Sequence, residues 1–499
     1  MQIEDNTKLF YRFFRIMVID ALKYQILQQF GFVPTEEQGQ ALDAFARFLT
    51  DRDPHAVMIL RGSAGTGKTS LSGAIVRTLK AIRQKVMLLA PTGRAAKVFS
   101  LNSGCPAYTI HRRFYREKSF AGVDGQFNLN DNLFTDTLFM VDEASMISNL
   151  GLGGGNFGSG CLLDDLVRFV YQGHNDRLML IGDKAQLPPV GEEESPALNR
   201  MMLEGYGLKV YECDLNEVLR QSQESGILYN ATVIRQMITH DDITQLPLIR
   251  FKGFADIVMM PGNELVESLA NSYYRVGQDE TMVITRSNKR ANIYNNGIRN
   301  MVFDREEELS CGDMLMIVKN NYFWTEKERN EAKEALNAIP PFLANGDRAK
   351  VLRVSRHMEL YGFRFATLLL QFPDYDNYEM SVTALLDTLQ SEAPALTHEQ
   401  QEQLFHGVEE DYQDVPLKAD RMKAIRGDQY FNALQVKYAY AITCHKAQGG
   451  QWEHVYVDQG YMTDDMLTPD YIHWLYTAFT RAKDKLFLVN WPKTQTEQA

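Results

Sequence analysis

The stretch Arg61 to Ser70, which reads Arg-Gly-Ser-Ala-Gly-Thr-Gly-Lys-Thr-Ser, leaves this chain few choices of fold. It follows an apolar run, Ala56-Val57-Met58-Ile59-Leu60, of the kind that forms a strand buried on both faces. Beyond it Leu71, Ile75, Val76 and Leu79 recur at helical spacing. Strand, glycine loop and helix start, in that order, are the context of a phosphate-binding loop; the glycine pattern alone would also suit a tight structural turn. Glycines let the backbone curl so that its amides point at phosphate oxygens. Lys68 supplies a point charge for the β and γ phosphates, and Thr69 a hydroxyl for Mg²⁺. The candidate nucleoside triphosphate contacts are Gly62, Ala64, Gly65, Thr66, Gly67, Lys68, Thr69 and Ser70.

Other segments repeat the strand-then-turn pattern. Lys85 to Ala90 reads as a second strand running into Pro91-Thr92-Gly93-Arg94-Ala95-Ala96-Lys97 and a helix. Thr137 to Val141 reads as a third, ending in Asp142-Glu143. An acidic pair after a strand is often a helix cap. Downstream of a phosphate loop it also suits a Mg²⁺ ligand (Asp142) and a water-polarising base (Glu143). Leu178 to Ile181 reads as a fourth strand, followed by Asp183 and Gln186, polar groups placed to sense a γ-phosphate. Between the second and third strands, Val123-Asp124-Gly125 sits between two short extended segments, which predicts a tight hairpin turn projecting from the domain. The segment opening at Thr35-Glu36-Glu37-Gln38 reads as a capped amphipathic helix. A second α/β unit begins near Thr281 to Ile284, is interrupted by an acidic insert with strands at Ala349 to Val354 and Phe365 to Phe372, and resumes at Tyr438 to Thr443.

Composition sets the outer bounds. At 499 residues the chain has room for about three or four domains. Five scattered cysteines with no close pair suit a reducing cytosol and argue against a zinc or iron–sulfur site. The stretch Leu9 to Phe30 is helix-like but broken by charges, neither a signal peptide nor a membrane span. A net charge of −12 argues against coating nucleic acid by bulk electrostatics, though a basic groove on an acidic body is compatible with it.

Taken together, the order of motifs from Thr35 to Asn490 resembles the superfamily 1B DNA helicases of the RecD-like group, related to phage Dda and the Pif family. The resemblance implies an α/β fold of two tandem RecA-like P-loop domains with parallel sheets. A β-hairpin pin is inserted in the first, and an accessory domain, partly β-barrel-like and partly helical, in the second. The implied division is an N-terminal helical segment 1–33, a first domain 34–225 with its hairpin at 115–135, a second domain 226–344 and 431–499, and the insert 345–430. Carried over by position, Gln38 looks like the glutamine that reads the adenine edge, and Gln448 and Gly449 belong to the motif coupling DNA to nucleotide. Arg220 and Arg481 look like the two arginine fingers. Pro91, Thr92, Arg94, Thr109, His111, Thr285, Asn288, Thr443, His445 and Lys446 are the implied DNA contacts, and Phe99 beside them suits either a DNA-stacking surface or a core aromatic. Cys444 and Ala447 depart from the family, which usually has valine or isoleucine at the first and often serine at the second.

What the resemblance implies for function is ATP hydrolysis with Mg²⁺ between the two domains, 5′ to 3′ movement on single-stranded DNA, and opening of single-/double-stranded junctions by a cytoplasmic monomer. Lys68, Arg220 and Arg481 would spread the charge on the transferred phosphoryl group while Glu143 orients water, with Asp183 and Gln186 sensing the γ-phosphate. The same motifs would serve a translocase that remodels complexes without separating strands, or a helicase acting on RNA, since backbone contacts discriminate weakly.

Overall fold

The structure is a computed structural model describing residues 17–120, 125–151, 158–218, 224–240, 244–331, 339–340 and 342–497. The chain divides into two compact units, with the main division between Glu224 and Ser225. In the first, strands β1 (Ala56–Gly62), β2 (Lys85–Ala90), β3 (Ala107–Thr109), β6 (Thr137–Val141), β7 (Arg177–Gly182) and β8 (Lys209–Leu215) form one sheet in the order β3-β2-β6-β7-β1-β8. All its pairings are parallel. Every residue of β1 is buried, and its side chains divide by the two-residue strand period. Met58 and Leu60 meet Leu42, Phe45, Leu71, Ile75 and Leu79 of the helices Glu36–Leu49 and Lys68–Ala81 on one face. Val57 and Ile59 meet Leu163, Leu166, Phe169 and Val170 of the helix Leu162–Gln172 on the other. Enclosure of this kind stabilises by about 1.5–3 kcal/mol per large apolar side chain, which is why an uninterrupted apolar run becomes the central strand. Residues 17–30 form a helix whose Leu22, Ile26 and Phe30 join the first of these cores.

Between β3 and β6 the chain makes the expected hairpin, β4 (Tyr115–Phe120) paired with β5 (Gly125–Leu129) as a separate two-stranded sheet. Its turn, residues 121–124, lies outside the described residues.

The second unit holds a five-stranded sheet in the order β16-β10-β17-β18-β9. Its strands are β9 (Ile257–Met260), β10 (Thr281–Thr285), β16 (Ala441–Thr443), β17 (Trp452–Asp458) and β18 (Ala482–Val489), all paired in parallel. Inserted between β10 and β16 is a closed five-stranded barrel of β11 (Met314–Ile317), β12 (Arg348–Leu360), β13 (Phe363–Phe372), β14 (Tyr378–Leu385) and β15 (Leu434–Tyr438). The barrel takes β11 from upstream of residue 345 and β15 from downstream of 430, so it is longer than the 345–430 insert read from the sequence. β11 is only four residues long, too short to show a period. The acidic part of the insert forms the helices His398–Asp411 and Lys418–Arg426, which bury Leu404, Phe405, Val408 and Ile425 against Phe363 and Phe365. Two parallel-sheet domains, the hairpin of the first and the barrel-plus-helices insert of the second make up the expected fold class.

Among the described residues no helix is long and apolar enough to cross a membrane.

Candidate nucleotide site and nucleic-acid interface

In a parallel sheet the strand order fixes what stands beside what at the C-terminal edge, where ligands bind in open α/β sheets. The phosphate loop leaves β1, Asp183 leaves β7, and Asp142 leaves β6; β7 lies between the other two. At about 4.8 Å per strand, loop and acidic pair are held roughly 10 Å apart, with Asp183 and Gln186 between them. The β2 and β3 ends, followed by Pro91 and by Thr109, occupy the far end of the same edge.

The loop itself has the shape a phosphate needs. Gly65 and Gly67 adopt φ of 78° and 79°, in the left-handed region that disfavours any side chain. The helix Lys68–Ala81 starts without a side-chain cap, leaving its first amides to face an anion. Thr66 Oγ1 donates to the Ser63 carbonyl at 2.8 Å, and Lys68 Nζ donates to the same carbonyl at 3.2 Å. Thr69 and Ser70 are exposed, and Ala64 is half-buried.

Gln38 occupies a different place from the one its motif suggested. Its Oε1 accepts from the Thr35 amide (3.0 Å) in a capping box, and its Nε2 donates to the Thr66 carbonyl (2.9 Å). The side chain is 1% exposed, so here it ties the helix Glu36–Leu49 to the loop and offers no free edge to a base. The pattern Thr-x-x-Gln was legible as a cap; its second bond, to the loop, was not.

Asp142 and Glu143 follow β6. The Glu143 amide donates to Asp142 Oδ1 (2.9 Å), and Glu143 sits at φ 52°, left-handed for a non-glycine residue. Such backbone strain concentrates at functional positions. Burial, then the neighbouring Glu143 charge, pushes the Asp142 carboxyl up to about 7, against the opposing pull of the Glu143 amide and Lys68. The Asp142 carboxyl and the Thr69 hydroxyl offer oxygen donors of the kind a hard divalent cation such as Mg²⁺ takes, directly or through water. Asp183 is buried and its Oδ1 accepts from the Ala185 amide (3.0 Å). Gln186 is 5% exposed, and its Oε1 is buried without a partner. An unpaired polar atom at this depth costs free energy unless a ligand or water meets it.

Sequence reasoning passed over Arg61. Its guanidinium bonds Asp214 (2.5 and 2.9 Å), Glu212 (2.7 Å) and the Leu198 carbonyl (3.1 Å), fastening β1 to β8 just before the loop. A charged residue ending an otherwise apolar strand was the available signal. Arg220 lies outside the described residues. Arg481 is 2% exposed, and its guanidinium donates to the Thr477 and Gly450 carbonyls and the Thr480 hydroxyl (3.0, 3.2 and 3.1 Å).

The implied DNA contacts differ in exposure, and Phe99 needs correction. Phe99 is 1% exposed and belongs to the core under the sheet, so it presents no stacking face. Ala95, Ala96, Phe99 and Ser103 are the buried stripe of the helix Gly93–Ser103. Thr109 caps the short helix Ile110–Phe114 by accepting from the Arg112 amide (3.3 Å). Thr285 is fully enclosed, its hydroxyl donating to the Ser287 carbonyl (3.1 Å). His111 packs against Tyr115, ring centroids 5.7 Å apart, and burial, partly offset by Asp165, pushes it down to about 4. Pro91, Thr92 and Arg94 are half-buried.

In the second unit β10 and β16 are neighbours, so the segments after Thr285 and Thr443 emerge side by side. Asn288, Asn292 and Asn295 lie on one helical face and line a small cavity with Thr443, Lys446 and Lys437. Only Asn288 of these asparagines was singled out from sequence; their i, i+4, i+7 spacing was the signal. Asn288 Nδ2 donates to the Glu392 carbonyl (3.0 Å), Asn292 Nδ2 to the Gln390 carbonyl (2.8 Å), and Lys437 Nζ to the Ser391 carbonyl. Lys446 Nζ is enclosed without a partner, and burial with the nearby Lys437 pushes it down to about 8. His445 is exposed. Cys444 is buried beneath the helix Pro469–Phe479, its thiol near the Trp474 carbonyl (3.6 Å), and Ala447 is buried as well, so both family departures are packing positions. Gln448 is buried, and Gly449 turns the chain at φ 72°.

Two family models match the chain, an AAA domain over residues 35–244 and a UvrD-like helicase C-terminal domain over 438–489. The ATP-dependent RecD2 DNA helicase of Deinococcus radiodurans is 31% identical over 157 residues, covering 31% of this chain and 18% of that protein. The ATP-dependent DNA helicase dda of Enterobacteria phage T4 is 24% identical over 292 residues, covering 57% and 60%. This chain thus matches less than two thirds of either relative's length. A crystal structure of Pif1 helicase from Bacteroides in complex with ADP-AlF3 and ssDNA aligns over 94% of this chain and 95% of that one, at 14% identity and a TM-score of 0.46. With a phosphate loop and acidic pair on one parallel sheet and a match to a UvrD-like helicase C-terminal domain on the other, the chain is similar in these parts to the RecD2 and dda helicases.

Proposed function

We propose that this protein is an ATP-dependent DNA helicase that moves 5′ to 3′ on single-stranded DNA and opens duplex at junctions. The observation that carries the reading is the row of three adjacent strand ends, β6, β7 and β1, bearing Asp142-Glu143, Asp183-Gln186 and the phosphate loop. A γ-phosphate on the loop would face the buried, unpaired Oε1 of Gln186, which can accept a hydrogen bond from an attacking water and help to orient it. Glu143, on the next strand end, would orient that water and receive its proton. Lys68 releases the Ser63 carbonyl and meets the phosphate oxygens instead. Thr69 and Asp142 would hold Mg²⁺, directly or through water, which would supply charge neutralisation for the phosphate oxygens. Arg220 and Arg481 add positive charge to the transferred phosphoryl group. For Arg481 this requires giving up acceptors it now holds, so its engagement is tied to a rearrangement around Gly450 and Thr477. Single-stranded DNA would run over the ends of β10 and β16, on Asn288, Thr443, His445 and Lys446, with Thr92 as a further backbone contact. The hairpin β4–β5 would part the duplex, whose steps cost about 1.4 kcal/mol each to open.

ATP hydrolysis measured with and without a single-stranded oligonucleotide tests this. The wild-type rate rises with DNA, and Lys68→Ala and Glu143→Gln lower it by about 10²–10³-fold. A rate indifferent to DNA would remove the motor from the account.

A further inference from the structure

The hairpin β4–β5 stands on a single helix. One leg begins at Tyr115, whose side chain is 8% exposed and whose hydroxyl donates to Asp165 Oδ2 at 2.8 Å. Asp165, in the first turn of the helix Leu162–Gln172, is 1% exposed and also accepts from the Ser159 amide (3.1 Å). The other leg ends at Asn130 and Asn132. The Asn130 amide donates to the Phe114 carbonyl, closing the base of the hairpin at 2.6 Å. Asn132 Nδ2 reaches the carbonyls of Phe169 (2.9 Å) and Val170 (3.2 Å), at the other end of the same helix, and Asp176 Oδ2 (2.9 Å). From Asp165 to Phe169 is one helical turn, about 6 Å of rise, close to the roughly 4.8 Å between paired strands. The helix thus offers one anchor per leg at about the spacing the legs require.

Both anchors are built tightly. A Cβ on Gly158 would come within 2.0 Å of Asp165 Oδ2 and 2.8 Å of Tyr115 Cε1; a Cβ on Gly173 would come within 2.0 Å of Asp176 Oδ2 and 2.5 Å of Asn132 Nδ2. Between the legs, Phe114 stacks on Phe169 with centroids 4.0 Å apart. Burial and the bond to Asp165 push the Tyr115 phenol up, so the hydroxyl keeps the proton it donates. The ring of Tyr115 also packs against His111, in the motif whose resemblance implies DNA contact.

We propose that the helix Leu162–Gln172 is the foundation that aims the hairpin at the duplex junction, with Tyr115 on Asp165 and Asn132 on the Phe169 and Val170 carbonyls as the positioning contacts that turn movement along the track into strand separation. This rests on reading β4–β5 as the separating pin. Tyr115 and Asn132 touch neither nucleotide nor DNA in this scheme; they act through the hairpin. A hydrogen bond to a charged group shifts the balance between anchored and loose conformers by about tenfold or more. A loosened pin therefore yields to the duplex while the motor runs on.

The test measures base pairs opened per ATP hydrolysed on a forked duplex, alongside ATP turnover on single-stranded DNA. It compares wild type, Tyr115→Phe, Tyr115→Phe with Asn132→Ala, Asp165→Asn, and a chain lacking Ala121 to Gln126. Tyr115→Phe is expected to lower base pairs per ATP about fivefold with turnover within about twofold of wild type, and the double variant to lower it further. Asp165→Asn, which keeps an acceptor for the Tyr115 hydroxyl, retains most of the coupling. Amide hydrogen exchange across residues 115–130 quickens in Tyr115→Phe. A purely structural role would lower turnover and opening together and leave their ratio unchanged, which overturns the proposal. If the hairpin deletion abolishes opening while Tyr115→Phe leaves the ratio untouched, the foundation is wrong and the pin stands. If the deletion itself opens duplex as well as wild type, the pin reading falls and the foundation with it.

Discussion

Thr285 and Thr443 are register partners at the C-terminal ends of β10 and β16. That single pairing brings two remote segments, Asn288 with its helix and His445-Lys446, to one edge, where Asn288 and Lys446 line the same small cavity. Residues sharing a cavity are energetically coupled. Asn288→Ala and Lys446→Ala are each expected to weaken single-stranded DNA binding about fivefold, and the double variant by less than the product. Fluorescence anisotropy of a labelled oligonucleotide measures this; strictly multiplicative losses would separate the two residues.

Lys446 gives the interface a pH signature. Its pKa is pushed down to about 8 by burial and by Lys437, and only the ammonium form attracts a phosphate. Below that value DNA on the proposed track would meet a charged lysine. Above it, binding must first take up a proton, so affinity falls as the pH rises through about 8. Lys446→Arg, whose guanidinium stays charged, flattens the profile. An unchanged slope in that variant would place the titrating group elsewhere.

Gln38 joins the capping box of its helix to the Thr66 carbonyl. Gln38→Ala removes both ties, and initial-rate measurements are expected to give a KM for ATP raised by roughly tenfold, with a stability loss of about 1 kcal/mol from the cap. A stability loss with unchanged KM would mean that the loop keeps its shape without this bond.

Local patterns carried most of what was legible in the sequence. The phosphate loop is a contiguous strand, turn and helix, so its residues announce themselves, and the loops after β6 and β7 follow the same grammar. What composition and period could not reveal was set by pairings between distant segments. The partnership of Thr285 with Thr443 depends on strand order. The anchoring of Tyr115 on Asp165 depends on a helix fifty residues downstream. Phe99 could be read either way because an aromatic just after a DNA-contact motif and an aromatic at a buried helical position look alike in one dimension. β11 escaped because four apolar residues, Met314 to Ile317, show no period, and only barrel closure between β12 and β15 makes them a strand.

The proposed activity is directional, ATP-driven strand separation. Two duplexes, one with a 5′ single-stranded tail and one with a 3′ tail, measure it most directly when mixed with wild-type protein or Lys68→Ala, with and without ATP and Mg²⁺. Opening of the 5′-tailed duplex alone, by wild type alone and only with ATP, is the predicted result. Opening of the 3′-tailed duplex alone, or opening by Lys68→Ala, would contradict it.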